Sequence, residues 1–166
     1  MLDQFQVGDL PLLDVVLALE TTPLRDVQAA LEPSDCRCVL VLDSGAGLRG
    51  LVMREAVLRH APRLSDLRVG MLPMLGVVEL ASSALLSDAA REVSTAGVGA
   101  LVCRLEALSD PQVMLRDEML NLTDWAPLIE RRAQRQAAAS QPHLTSAAHM
   151  PATPPGARKS PPTIYL

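Results

Sequence analysis

A stretch near the start of the chain, Val7-Gly8-Asp9-Leu10-Pro11-Leu12-Leu13-Asp14-Val15-Val16, reappears as Val69-Gly70-Met71-Leu72-Pro73-Met74-Leu75-Gly76-Val77-Val78, an offset of 62 residues. The same offset carries Leu24-Arg25-Asp26 onto Leu86-Ser87-Asp88 and Arg54-Glu55 onto Arg116-Asp117 without a gap. An internal repeat restricts the fold more than composition does. Each copy must form one supersecondary unit, and neighbouring copies must bury what a single copy cannot. In a chain of 166 residues, two such units fill most of the length.

Local patterns give each unit its elements. In the first, Val15 to Leu19 is a short apolar run and Thr22-Pro23 opens a helix. Thr22 suits the N-cap, and Pro23 the first helical position, where a missing N–H costs nothing. Val27, Ala30 and Leu31 form the apolar face of that helix, and Pro33 helps to end it. Cys38-Val39-Leu40-Val41-Leu42 is the unbroken apolar run of a buried strand. Asp43 to Gly47 is a turn cluster, Leu48 to Met53 a returning strand, and Arg54 to His60 a second helix. The predicted order is β-α-β-β-α. The second unit follows it: Val77-Val78, a helix through Leu86, Ala89, Ala90 and Val93 capped by Ser82 or Ser83, a strand at Ala100 to Cys103, a turn at Ser109-Asp110-Pro111, a strand at Gln112 to Leu115 and a helix at Arg116 to Leu122. Arg104 to Leu108 either lengthens the strand or loops out. Neither small sheet can bury both faces alone, so an α+β fold is expected, with the two units packed face to face about a pseudo-two-fold axis. The units span 5–62 and 63–122. A helix follows at 123–139, with Asp124 as its cap and Arg131, Arg132 and Arg135 on its outer face. The Pro-, Ala-, Ser- and Thr-rich tail at 140–166 is expected to be disordered.

Composition narrows the function classes. Aromatic residues make up 2% of the chain, and Phe5, Trp125 and Tyr165 are each the sole example of their type, so the core must be built from Leu, Val, Ala and Met. Single-stranded nucleic acids stack on aromatic platforms, and a net charge of -4 opposes a phosphate backbone; no nucleic-acid partner is expected. Cys36, Cys38 and Cys103 are too few and too dispersed for a disulfide framework. The Cys36/Cys38 pair reads as alternate positions entering a strand rather than as a metal site, because no His or carboxylate cluster accompanies it. The start lacks a signal-peptide pattern, and no apolar stretch approaches the ~20 residues of a membrane span. A cytoplasmic protein without a membrane partner is expected. Neither a Gly-rich phosphate loop nor a Ser/His/Asp set nor a metal-ligand spacing is found. His60 falls near a helix C-terminus, where positive charge is welcome. The chain is therefore not expected to be an enzyme, and no catalytic residue or metal ligand is assigned.

The strings Thr22-Pro23-Leu24-Arg25-Asp26, Val39-Leu40-Val41-Leu42-Asp43 and Leu48-Arg49-Gly50-Leu51-Val52-Met53-Arg54-Glu55 together resemble a CBS repeat, and Gly97-Val98-Gly99-Ala100-Leu101-Val102 resembles a stretch of the same family. The resemblance covers about residues 5 to 122. It implies a Bateman module: two CBS repeats in pseudo-two-fold relation with clefts between them, commonly binding AMP, ADP, ATP or S-adenosylmethionine, forming a homodimer and regulating an attached or separate protein. The family's ligand signature, G-h-x-T/S-x-x-D, lies where the return strand enters the last helix. A hydroxyl and a helix N-terminus there hold phosphate, and the carboxylate accepts hydrogen bonds from the ribose. In the first unit Gly50, Leu51 and Val52 match, but the hydroxyl position is Met53 and the acid position Ala56; Glu55 is one residue early. In the second, a one-residue uncertainty puts the glycine position at Pro111 or Gln112, the hydroxyl position at Met114 or Leu115, and the acid at Asp117 or Glu118.

Three readings follow. A nucleotide-sensing module would use Asp117 or Glu118 on ribose, with Arg116 and Arg54 near phosphate, and would act on a regulated protein in trans. A structural scaffold for dimerisation or protein interaction would have lost the ligand, as Met53 and Ala56 suggest. In the plainest reading, Arg54 and Arg116 are solvated residues at helix starts, and Asp117 is an acid favoured by the helix dipole.

Overall fold

The computed structural model describes residues 2–61, 66–104 and 109–140; the expected tail disorder and most of the doubtful stretch after Arg104 lie outside them. Among the described residues, seven strands run β1 Leu13–Asp14, β2 Val16–Leu19, β3 Cys38–Leu42, β4 Leu48–Met53, β5 Val77–Ala81, β6 Ala100–Arg104 and β7 Gln112–Leu115. Five α-helices run α1 Leu24–Leu31, α2 Arg54–His60, α3 Leu86–Ala96, α4 Arg116–Leu120 and α5 Ala126–Ser140. The β-α-β-β-α order holds in both units. Strands β2 and β3 are parallel, with Val16 beside Val39; parallel neighbours need a crossover, which α1 supplies. Strands β3 and β4 form a hairpin whose turn is tied by Asp43, its Oδ1 accepting from the amides of Gly45 and Gly47 at 2.8 Å each. A Cβ at Gly47 would lie 2.8 Å from Asp43 Oδ2, so a larger residue there would displace the carboxylate that ties the turn.

Both faces of β3 are buried, which accounts for its unbroken apolar run. Val39 and Val41 join Val27, Leu31 and Val57 in the core beneath the helices of the first unit. Cys38 and Leu40 point the other way, and with Leu51 they meet Ala100, Val102 and Val113 of the second sheet. The two sheets therefore pack face to face, as expected. A third cluster lies beneath α3 of the second unit, around Leu86, Ala89, Val93, Leu101 and Met114.

The lead segments cross over. Phe5, Val7 and Leu10 belong to the core of the second unit, whereas Val69 and Leu72 belong to that of the first. Strand β1 pairs with β7, Leu13 beside Val113. The equivalent Leu75 bonds Leu51 in both directions, N to O at 2.8 Å and O from N at 3.0 Å. Each unit is thus completed by the chain that precedes the other.

This exchange explains a departure from the expected helix starts. Helices α1 and α3 begin at Leu24 and Leu86, with Pro23 and Leu85 at the cap positions and no side-chain cap; neither Thr22 nor Ser82 nor Ser83 caps them. The leading amides find partners on the crossing segments instead, Leu24 N donating to Leu67 O at 2.8 Å and Leu86 N to Phe5 O at 2.9 Å. Helix α5 begins at Ala126, which puts Trp125 rather than the expected Asp124 at the cap position; Asp124 Oδ1, one residue earlier, accepts from Ala126 N at 3.1 Å, and the helix runs one residue beyond the expected end.

The arginines of α5 are a second departure. They turn onto the N-terminal segment rather than outward. Arg131 donates to the Leu10 carbonyl, Arg132 donates to Gln4 Oε1 at 2.8 Å and stands 5.6 Å from the Phe5 ring centre, and Arg135 lies 2.9 Å from Asp9 Oδ2. Two causes act together. Leu128 and Trp125 seat the helix on the Phe5/Leu10 cluster, and Asp9, only 1% exposed, needs a cation because an unpaired buried charge is costly.

Candidate functional site

The register of the sheets decides between the two alignments of the second signature. Ala100 lies beside Leu115 as Cys38 lies beside Met53, so the 62-residue offset runs ungapped into α4. Gln112, Leu115 and Glu118 therefore occupy the positions of Gly50, Met53 and Ala56. The acid of the second signature is Glu118, and the hydroxyl position is apolar in both units. Asp117, the other candidate, is exposed, and its carbonyl accepts from the backbone and side-chain amides of Asn121 at 3.0 and 2.8 Å.

Among the described residues, Glu118 is the one of the four candidate side chains brought into a charged partnership across the units. Glu118 Oε1 accepts from Nη1 of Arg37 at 2.6 Å. Arg37 stands just before β3 of the first unit, and the Glu118 carboxylate raises its pKa above the usual guanidinium value. Arg54 is used structurally: its Nη1 donates to the carbonyls of Leu31, Ser34 and Cys36 at 3.0, 2.8 and 3.1 Å, holding the loop that leaves α1 and complementing the negative end of that helix. Arg116 is half-buried, its amide donating to Gly99 O at 2.9 Å as that of Arg54 donates to Arg37 O at 2.9 Å.

Arg37 escaped the sequence reading because no motif contains it. Its signal was a departure from the repeat, since the equivalent residue is Gly99. That difference makes the two inter-unit clefts unequal. A Cβ at Gly99 would lie 2.8 Å from Leu75 Cβ, and one at Gly50 would lie 2.8 Å from Leu75 O and 2.9 Å from Met74 Cβ. Leu75 therefore settles onto two glycines and fills that side. On the other side Arg37 stands at the position of Gly99 and carries the Cβ that Gly99 lacks. A cavity of about 490 Å³ remains there, lined by Leu12, Leu13, Asp14, Ser34, Asp35, Cys36 and Arg37. Asp14 Oδ1, on its rim, accepts from Gln112 Nε2 at 2.7 Å. A larger hollow of about 580 Å³ lies between β2 and α1, away from the signature positions; its one charged residue, Asp26, is 3.5 Å from Arg25.

The thiols divide by burial. Desolvation pushes Cys38 up to about 11 and raises Cys103 as well, so both stay protonated and unreactive at neutral pH. Cys36 is partly exposed and lines the cavity. A thiol reagent added to the native protein is expected to modify Cys36 alone, with Cys38 and Cys103 reacting only on unfolding; mass spectrometry before and after denaturant reads this directly. Among the described residues no group of three or more His, Cys, Asp or Glu side chains could hold a metal ion, and no helix is long and apolar enough to cross a membrane.

No protein-family model matches the chain, and no curated protein does. Solved structures do. A hemolysin-like protein containing a CBS domain, from Oenococcus oeni PSU, superposes with a TM-score of 0.55 at 12% identity, over 72% of this chain and 89% of that one. The CBS domain of a CBS domain containing membrane protein from Sphaerobacter thermophilus gives 0.51 at 16% identity, over 74% of this chain and 90% of that one. Likeness at such identities is one of fold, and the fold is that of a CBS pair.

Proposed function

We propose, on the premise that this chain has the fold of a CBS pair, that it is a non-catalytic regulatory module taking a small adenosine compound in the cleft beside Arg37. The observation that carries this reading is the Arg37–Glu118 contact beside the cavity. The one signature acid that the chain retains projects from the second unit and is held by a cation of the first. Both side chains are substantially exposed, 54% and 38%, and such a pair contributes only about 0–1 kcal/mol, so it is readily exchanged. The two ribose hydroxyls can donate to Glu118 in place of Arg37, which joins ligand and both units in one network. A change in how the units sit against each other is then the signal, delivered to a regulated protein in trans. Self-association as a two-fold dimer belongs to the same proposal; Met71, Leu120 and Ile129, exposed by 66%, 46% and 58%, are apolar surface such contacts would cover, and light scattering of the chain reads the mass.

The test is a melting-temperature screen with AMP, ADP, ATP and S-adenosylmethionine at millimolar concentration. A ligand that binds only the folded state stabilises it by about 2.7 kcal/mol at a hundredfold excess over its dissociation constant. Glu118→Gln is expected to remove the shift, and Asp117→Ala to leave it. A second reading, a scaffold without ligand, is favoured by the apolar residues at both hydroxyl positions and by Leu75 filling the other cleft. Absence of a shift with all four compounds selects it.

A further inference from the structure

Strand β2 lies at the edge of the first sheet and pairs with β3 alone. Glu20 N donates to Leu42 O at 2.7 Å, so by alternation Val16 and Ala18 turn their backbone groups toward β3, and Leu17 and Leu19 turn theirs outward. The Leu19 carbonyl accepts from Thr22 N at 2.9 Å. The N–H and C=O of Leu17 and the N–H of Leu19 have no backbone partner among the described residues. An open edge of this kind templates the addition of another strand, and proteins commonly blunt it with charge. The second unit does so. Glu79, at the position of Leu17, pairs at 3.3 Å with Arg104, which stands at the position of Leu42. Leu80, at the position of Ala18, packs against the second core, and Arg91 and Glu92 stand where α1 has Ala29 and Ala30. In the first unit the edge is apolar, and the hollow of about 580 Å³ lies open beside it, with Leu17 43% exposed.

We propose that this edge and hollow hold a segment of the chain itself, Thr163-Ile164-Tyr165-Leu166, added as a strand along β2 with the Tyr165 ring in the hollow. The adenosine reading is not needed for this. Within 141–166 it is the one run that joins β-branched and aromatic residues without proline, the residue types that suit a strand, and its length matches the four residues of β2. The hollow offers apolar walls from Val16, Ala18 and Ala30, and Thr22 and Asp26 on its lining supply a hydroxyl and a carboxylate. A phenol fits that combination, an apolar ring with one O–H to donate, and Tyr165 is the only tyrosine. Reach and charge agree. Tyr165 lies 25 residues beyond Ser140, the last residue of α5. Extended, that length spans up to about 80 Å, roughly twice the width of a domain of this size. The stretch 141–166 carries Arg158 and Lys159 and no Asp or Glu, so it approaches Asp26 without repulsion. Tethering puts the segment at an effective concentration of about a millimolar, so a weak contact suffices to fill the edge.

Amide hydrogen exchange of the full chain tests the proposal, with Glu79 as internal reference because it holds the same edge position in the second unit. After correction for intrinsic rates, the Leu17 amide is expected to exchange at least about tenfold more slowly than that of Glu79. Tyr165→Ser should return Leu17 to the rate of Glu79, and Tyr165→Phe, which keeps the ring, should retain most of the protection. Ala30→Glu, which copies Glu92 of the second unit onto an exposed position, should also remove it. A Leu17 amide as fast as that of Glu79 in the wild-type chain overturns the proposal. So does protection that survives Tyr165→Ser, which assigns the edge to another occupant, and so does protection that falls on dilution, which assigns it to the segment of a second copy.

Discussion

Leu40→Ala will lower the stability of both units together, by about 2–5 kcal/mol, the range for removing a large aliphatic side chain from a packed core. Leu40 is 0% exposed and belongs to neither outer core; it lies in the layer between the sheets with Leu51, Val102 and Val113. The cavity it leaves is walled by both units. Urea unfolding should be followed by circular dichroism and by the fluorescence of Trp125, the only tryptophan, which packs against the core of the second unit. Although Leu40 belongs to the first unit, the Trp125 midpoint should fall with the dichroism midpoint in one transition. An unchanged Trp125 midpoint would show that the units unfold independently, contrary to the crossing of their lead segments.

The second large effect concerns α5. Arg135→Ala strips the cation from Asp9, a carboxylate 1% exposed that keeps one hydrogen bond, from Gln6 N at 2.8 Å. Breaking a fully buried ion pair costs about 3–5 kcal/mol. Arg135 itself is 36% exposed, so water can partly take its place, and a loss of about 2 kcal/mol is expected after that discount. The variant Asp9→Asn combined with Arg135→Ala should recover part of the loss, because a neutral amide no longer needs the cation. Chemical denaturation of the two single variants and the double variant gives the coupling; strictly additive losses would mean that Arg135 serves only to pack the helix. Since α5 reaches the N-terminal segment through Arg131, Arg132 and Arg135, the weakened helix should also be cut sooner by protease.

Two of the departures from the sequence reading share one cause. Thr22 is a sound N-cap by local chemistry, yet the amide of Leu24 is taken by Leu67; a cap preference is worth about 1 kcal/mol and yields when a distant carbonyl already satisfies the donor. Nothing nearby in sequence explains the arginines of α5, because their partners Gln4, Gln6, Asp9 and Leu10 lie more than a hundred residues away. In each case the deciding contact is long-range, and no window of the chain displays it.

The candidate site divides in the same way. That the last helix of the second unit begins at Arg116 and carries the acids Asp117 and Glu118 in its first turn was legible from the repeat. Which of the two acids matters was not. A shift of one residue turns a helical side chain by about 100°; the ungapped repeat offset carries Ala56 onto Glu118, and the pairing of Ala100 with Leu115 holds that alignment against the one shifted by a residue. Arg37 was invisible because its role is defined by a partner 81 positions away. By itself the sequence determined what repeats and short periods encode: the order of strands and helices in each unit, the buried run from Cys38 to Leu42 and the face-to-face pairing that two half-covered sheets require. Tertiary structure alone decided which lead segment completes which unit, which amides go without caps and which cleft stays open. Those outcomes depend on steric and electrostatic fit between surfaces far apart in the chain, down to whether position 37 or position 99 carries a Cβ.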